Sequence, residues 1–174
     1  MGFKEWQTPP AELRKQWERF HFTVDAAASE ANALVRGYGD CYCDEGEWCE
    51  LEDTDSAVGR FYTLETDGLN PDHYHAGDRV WCNPPYDAAI IRWVRLAREL
   101  SRDAGVLWRF LLPPGTDTRW FHRYIWDARL NRPREGVEVE FPDYRIAFIH
   151  PDKPEKKSPR ASNLYVTFLP ELKP

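Results

Sequence analysis

Apolar positions along this chain switch between a helical and an alternating period, and the switches outline its elements. After Thr8-Pro9-Pro10, Leu13, Trp17 and Phe20 recur at helical spacing, which predicts a helix over residues 9–20 with Thr8 as N-cap and Pro9 at the first helical position. Phe22-Thr23-Val24-Asp25 predicts a short strand, and a small-residue turn with a Ser29 cap then leads into a helical pattern through Ala31, Leu34 and Val35. From Asp40 to Asp55 the period is lost and nearly all charges are acidic, which predicts a surface loop or insertion over 40–55. Apolar runs predict strands at 61–64, 79–82 and 106–112. Between the last two, Ile90, Trp93, Val94, Ala97 and Leu100 share one helical arc, while Arg92, Arg95, Arg98 and Arg102 occupy the opposite one and face away from the core. A helix at 117–125 follows, then β-rich stretches at 137–141, 145–149 and 163–169, the last two joined by a polar loop over 150–162. Strands alternating with helices early and β pairing late predict an α/β layered domain, mostly parallel with an antiparallel C-terminal end. No repeat or linker divides residues 1–174, so one domain is expected.

Composition sharpens this picture. At 42% hydrophobic and 14% aromatic the chain covers a real core, and no apolar run approaches the length a bilayer requires. Met1-Gly2-Phe3-Lys4-Glu5-Trp6 lacks an apolar signal core, so a cytoplasmic location is expected. Cys41, Cys43, Cys49 and Cys82 lack paired Cys-x2-Cys hooks, and the nearest histidines, His73 and His75, lie far along the chain; reduced thiols and no metal are expected, with Cys82 in the core. The net charge of -6 argues against a general polyanion binder. The average hides a split: residues 1–55 carry five bases against thirteen acids, whereas 92–134 carry ten arginines and no lysine against four acids. Arginine forks suit phosphate, and a solvated helix face with ion pairs is the alternative.

The chemistry concentrates in Asn83-Pro84-Pro85-Tyr86, directly after the predicted strand Arg79–Cys82. That is the carboxyl end of a strand, where open α/β sheets place ligands. Successive prolines remove N–H donors and stiffen the turn, leaving the Asn83 side chain and the Pro84 carbonyl as acceptors at a set spacing, suited to an exocyclic amine. Tyr86 adds a face for a flat heterocycle, which together describes a nucleobase taken out of its helix. The alternative is a rigid strand-to-helix turn capped by asparagine.

With these residues the chain resembles the amino-methyltransferases, and among them the small phage-type N6-adenine DNA methyltransferases. The resemblance rests on Trp6-Gln7-Thr8-Pro9-Pro10, Phe22-Thr23-Val24-Asp25-Ala26-Ala27-Ala28-Ser29, Asp67-Gly68-Leu69, Asn83-Pro84-Pro85-Tyr86, Thr116-Asp117-Thr118-Arg119-Trp120-Phe121-His122 and Arg145-Ile146-Ala147-Phe148. It implies a Rossmann-like fold, S-adenosyl-L-methionine as methyl donor, DNA as partner, and transfer to the N6 amine of a flipped adenine. Asn83 and Pro84 would orient and polarise the amine within the motif completed by Pro85, and Tyr86 would stack on the base. Trp6, Thr8 and Pro9 look like the contact to the methionine side of the cofactor. Asp25 would meet its ammonium or ribose, Ala27 would line the slim loop beside it, and Asp67 would accept from its adenine amine. Thr8 as a helix cap and Asp67 as a turn residue are the plainer alternatives.

For Arg119 and Arg123 the choice lies between phosphate contact and surface ion pairs, and for Phe148 between walling the base and filling the core. Trp120 and His122 divide in the same way between DNA and packing, and the cations of the loop Lys153 to Arg160 are candidates for the DNA backbone. Two features depart from the resemblance: no glycine follows the first strand, and Tyr144 stands where the family often has glycine. A non-catalytic cofactor-binding or DNA-mimicking protein, and the same chemistry on RNA or a protein side chain, stand as competing readings. Monomer and homodimer both stay open, and weak sequence specificity is expected.

Overall fold

The computed structural model describes residues 7–28, 33, 40–42, 48–50, 59–150 and 162–171. Helix α1 (Pro10–Phe20) precedes β1 (Val24–Asp25); a hairpin of β2 (Asp40–Tyr42) and β3 (Trp48–Glu50) follows, then β4 (Arg60–Phe61) and a single 3-10 turn at Pro71–His73. Next come β5 (Arg79–Cys82), α2 (Ile90–Ala104), β6 (Leu107–Leu112), α3 (Arg119–Tyr124), a small hairpin of β7 (Trp126–Asp127) and β8 (Arg132–Pro133), and finally β9 (Val137–Glu140) and β10 (Leu164–Phe168). The main sheet has the order β4-β1-β5-β6-β10-β9: its first three pairings are parallel, and β10 runs antiparallel to both β6 and β9. The expected α/β layering, mostly parallel with an antiparallel C-terminal end, is what forms.

Side-chain alternation explains why the sheet is covered on both faces. Val80, Cys82, Phe110, Leu112, Leu164, Val166 and Phe168 point to one face, where Trp93, Val94 and Ala97 of α2 and Phe121 of α3 pack on them. Trp81, Leu111 and Tyr165 point to the other, against Leu13 of α1, Phe22, Ile146 and Phe148. Helix α2 follows its predicted arc, with Arg92, Arg95 and Arg102 exposed but Arg98 half-buried against Glu171 at 3.2 Å, and stops at Gly105, whose φ of +71° suits glycine and whose N–H donates to the Leu100 carbonyl.

Several expectations are corrected. Thr8 caps nothing: Pro9 takes the cap position without a side-chain hydrogen bond, Pro10 is the first helical residue, and Thr8 is buried instead. On α1 the buried slot belongs to Gln16, while Trp17 is 42% exposed, because Gln16 accepts from a guanidinium inside the protein. The acidic segment is not all loop, since β2 and β3 pair within it, Cys41 opposite Cys49. No strand forms at 145–149; Ile149 makes one isolated bridge with Gln7, and Ile146 and Phe148 alternate inward without a ladder. Strands β1 and β4 are shorter than expected, and α3 starts at Arg119 because the Thr118 hydroxyl accepts from Phe121 N–H. The helical pattern through Ala31, Leu34 and Val35, like Trp6, Cys43 and the loop from Lys153 to Arg160, lies outside the described residues. Among the described residues no helix is long and apolar enough to cross a membrane, and no cluster of His, Cys, Asp and Glu is fit to hold a metal ion.

Candidate active site

The site grows from the sheet order. From β1 the chain goes to β4 on one side and returns to β5 on the other, so the connection reverses between β1 and β5. At such a switch point the carboxyl ends of two parallel strands open a crevice. Asp25 closes β1, and Asn83 follows Cys82, the last residue of β5, with Asp25 in register with Trp81. Leu112 ends β6 opposite Leu164, which starts β10, so the residue before it, Asn163, comes to the same edge.

Asp25 is only 2% exposed, and its Oδ1 accepts from Ala27 N–H at 3.3 Å. Burial pushes the neighbouring Cys82 thiol well above its ordinary value, and the Asp25 charge adds to that, so the thiol is a core group and no nucleophile. The absent glycine after β1 is answered across space. A Cβ on Gly68 would stand 2.0 Å from the Ala26 carbonyl oxygen and 2.9 Å from the Trp93 ring, so this approach demands glycine. Tyr74 donates to the Gly68 carbonyl at 2.5 Å and holds the turn in place. Asp67 is thereby brought beside the β1 loop. Its carboxylate is exposed and accepts from Leu69 N–H at 3.1 Å at a left-handed φ of +48°, the geometry of a turn residue.

The turn after β5 is gripped from two sides. Asn83 Nδ2 donates to Thr8 Oγ1 at 3.2 Å, while the flanking Gln7 exchanges two backbone hydrogen bonds with Ile149 at 2.9 and 3.0 Å. Pro84 is buried and Pro85 exposed, and the Pro85 carbonyl accepts from Asp87 N–H at 2.9 Å. Tyr86 packs against the larger core cluster; its hydroxyl donates to the Leu111 carbonyl at 3.3 Å and accepts from Asn163 Nδ2 at 3.0 Å. Burial holds the Tyr86 phenol above its ordinary value, which leaves it neutral and unfit as a base.

The structure thus joins Thr8, Asp25, Ala27, Asp67, Asn83 and Tyr86 along one edge. Pro9 reaches that edge only as the cap of α1. Arg119 and Arg123 are exposed on α3, in the segment that leaves the carboxyl end of β6, Arg123 lying 5.4 Å over the Tyr124 ring. Phe148 is not joined to Tyr86: it is buried with Leu13, Phe22 and Trp81 on the α1 face. Arg109, counted above with the arginines suited to phosphate, is 1% exposed and bonds inside the protein. Asn163 is the residue that sequence reasoning missed. It is 9% exposed, and its Oδ1 has no hydrogen-bond partner among the described residues. The available signal was a lone polar side chain at the mouth of the apolar strand Leu-Tyr-Val-Thr-Phe.

A switch-point sheet of this kind, with a buried acid on one strand end and an acceptor turn on the next, defines a Rossmann-like α/β fold of the methyltransferase class. The chain belongs to the DNA N-6-adenine-methyltransferase (Dam) family, whose model matches residues 49–171. The match takes in Asp67, the turn Asn83 to Tyr86, Arg119, Arg123 and Asn163; Thr8 and Asp25 precede it. No curated protein and no solved structure matches the chain.

Proposed function

We propose that this protein methylates the N6 amine of adenine in DNA, with S-adenosyl-L-methionine as donor and the target base turned out of the helix. The observation that carries this reading is the Asn83 amide: its nitrogen is engaged by Thr8 at 3.2 Å, and its oxygen takes no hydrogen bond among the described residues, at the switch point and beside Pro84. That leaves an acceptor where a substrate amine can be met.

The residues present fit the cofactor. A buried carboxylate at the end of β1 suits an ammonium or ribose hydroxyls, and only the small side chains of Ala26–Ala28 follow it. When bound, S-adenosylmethionine would supply an electrophilic methyl group on a sulfonium, whose sulfur would leave as a neutral thioether. Asp25 would hold and orient the cofactor, Ala27 would line its loop, and Asp67 stands at the neighbouring turn with one carboxylate oxygen still able to accept.

Adenine's amine lone pair is delocalised into the ring. Asn83 Oδ1 and the Pro84 carbonyl accept from the two N–H bonds, which orients the nitrogen and draws its electron density toward the incoming methyl. Tyr86 offers its ring for stacking, with the plane held by the two hydrogen bonds at its hydroxyl. No strong base is required, because the methylated nitrogen is acidic and releases its proton to water. Arg119 and Arg123 meet phosphate on the flank.

The test is incubation of the purified protein with isotopically labelled S-adenosylmethionine and unmethylated DNA, followed by nucleoside digestion and mass spectrometry. Labelled N6-methyladenine, lost in Asn83→Ala, is expected. Label that appears only in RNA, or cofactor binding with no methylated nucleoside, would overturn the reading.

A further inference from the structure

Thr8 looked like either a helix cap or a contact to the cofactor, and its observed partner is neither. Its side chain is 5% exposed, and the hydrogen bond it makes goes to the Asn83 amide nitrogen, 75 residues away. We infer that Thr8 is a positioning residue that anchors the Asn83 amide with its nitrogen toward α1 and its oxygen toward the substrate amine. This deepens the function proposed above and rests on it.

The physical need comes from the amide itself. An asparagine side chain ends in one acceptor and one donor of nearly the same shape, related by a half-turn about the last torsion. Only one of the two arrangements presents oxygen to an N–H group. In the other an NH2 faces an NH2, which replaces an attraction by a repulsion and leaves a donor unmet. Thr8 Oγ1 accepts from Nδ2 at 3.2 Å, so the nitrogen faces α1 and the oxygen the open side; a hydroxyl can also donate, so Thr8 anchors the amide and the substrate amine completes the choice of end. Two features keep Thr8 there. Pro9 and Pro10 restrict the backbone that follows it, and the paired hydrogen bonds between Gln7 and Ile149 pin the backbone that precedes it. The hydroxyl therefore acts through Asn83 and not on the reacting atoms.

Three substitutions test this. Thr8→Val keeps the shape and removes the hydroxyl; its kcat is expected to fall about 10- to 100-fold, the scale of a misplaced reacting group, while cofactor Kd by calorimetry moves less than threefold. Thr8→Ser restores the hydroxyl and recovers most of the loss. In Asn83→Asp both carboxylate oxygens are acceptors, orientation no longer matters, and adding Thr8→Val costs only a few-fold more. A structural role would not move with the symmetry of residue 83. One readout needs no turnover: the Asn83 side-chain NH2 resonances, assigned by their disappearance in Asn83→Asp, should exchange slowly with water in wild type and Thr8→Ser and rapidly in Thr8→Val. Equal exchange in all three overturns the proposal even for a protein that methylates nothing. A Thr8→Val variant that loses cofactor affinity and keeps kcat overturns it in favour of a cofactor contact. Wild-type protein that leaves DNA unmethylated but shows the exchange difference sinks only the assigned reaction.

Discussion

Two polar constellations on this sheet, about one strand apart, are treated in opposite ways. Arg109 sits in the middle of β6 at 1% exposure and has a partner for each nitrogen of its fork: Gln16 Oε1 at 2.8 and 3.1 Å, Thr167 Oγ1 at 2.8 Å and Glu140 Oε2 at 2.7 Å. The rings of Phe20 and Tyr165 close over its two faces at 4.8 and 4.5 Å. At the edge formed by the carboxyl ends of β5 and β6, by contrast, Asn83 and Asn163 each have their nitrogen engaged, and neither oxygen takes a hydrogen bond among the described residues. A buried polar group with all its partners is part of the scaffold, whereas half-made hydrogen bonds are stable only where something else completes them. The difference separates the arginine that looked fit for phosphate from the asparagine whose oxygen is left open.

The comparison breaks most visibly at Asn83. Asn83→Ala removes the open acceptor, and kcat is expected to fall by about 10²–10³-fold or more, as for other charge-stabilising groups at reacting centres. Its thermal midpoint should fall by far less than that of a scaffold variant, because a single hydrogen bond to a half-buried amide is lost. A parallel loss of both activity and stability would make Asn83 a scaffold residue.

Arg109 should give the reverse. Arg109→Ala empties a packed site, strands the Gln16 oxygen and leaves Glu140 to Arg19 alone, a loss of about 3 kcal/mol by urea unfolding, at the lower end for broken buried pairs because Glu140 is 38% exposed. Arg109→Met keeps an apolar stem between Phe20 and Tyr165 and should cost clearly less. If Arg109→Ala instead left stability untouched and weakened DNA binding, the guanidinium would belong to the substrate surface after all.

A smaller effect is expected on α3. Charge reversal of Arg119 and Arg123 together should weaken DNA binding by roughly tenfold and lower the slope of log affinity against log salt by about two, one for each phosphate contact. Neither side chain supports the core, so the melting curve should not change. An unaltered salt slope would move the basic face away from α3.

How much of this was legible depended on whether the deciding contact lay within the local chain. The turn Asn83-Pro84-Pro85-Tyr86 was legible because four adjacent residues and the preceding strand carry the signal together, and α2 because its two arcs are chemically distinct. Gln16 was not, since its burial is set by Arg109, 93 residues away. Asn163 stayed hidden for the same reason: it reaches Tyr86 only through the antiparallel pairing of β10 with β6, whose register no linear pattern prints. The stretch 145–149 alternates like a strand, yet its neighbours across space are α1 side chains and the Gln7 bridge in place of a ladder, so the same inward-outward rhythm forms without β structure.

The finest distinction between the two constellations lies in their response to acid. Glu140 is partly buried, which raises its carboxyl, but hydrogen bonds from Arg19 at 2.8 Å and Arg109 at 2.7 Å outweigh that and hold it below its ordinary value of 4.5. A carboxyl depressed on folding contributes its stabilisation in full above the unfolded value and loses it as pH falls through the folded one. The gap in melting temperature between wild type and Glu140→Gln should therefore be widest above pH 5 and narrow below 4.5. Asn83, Asn163 and the neutral Tyr86 have nothing to titrate over that range, so a matching step in the cofactor affinity of Asn83→Ala relative to wild type is not expected. A gap that stayed flat from neutral pH into acid would mean that the two guanidinium groups do not hold the Glu140 carboxyl below its ordinary value, and the scaffold constellation would lose its assigned ion pairs.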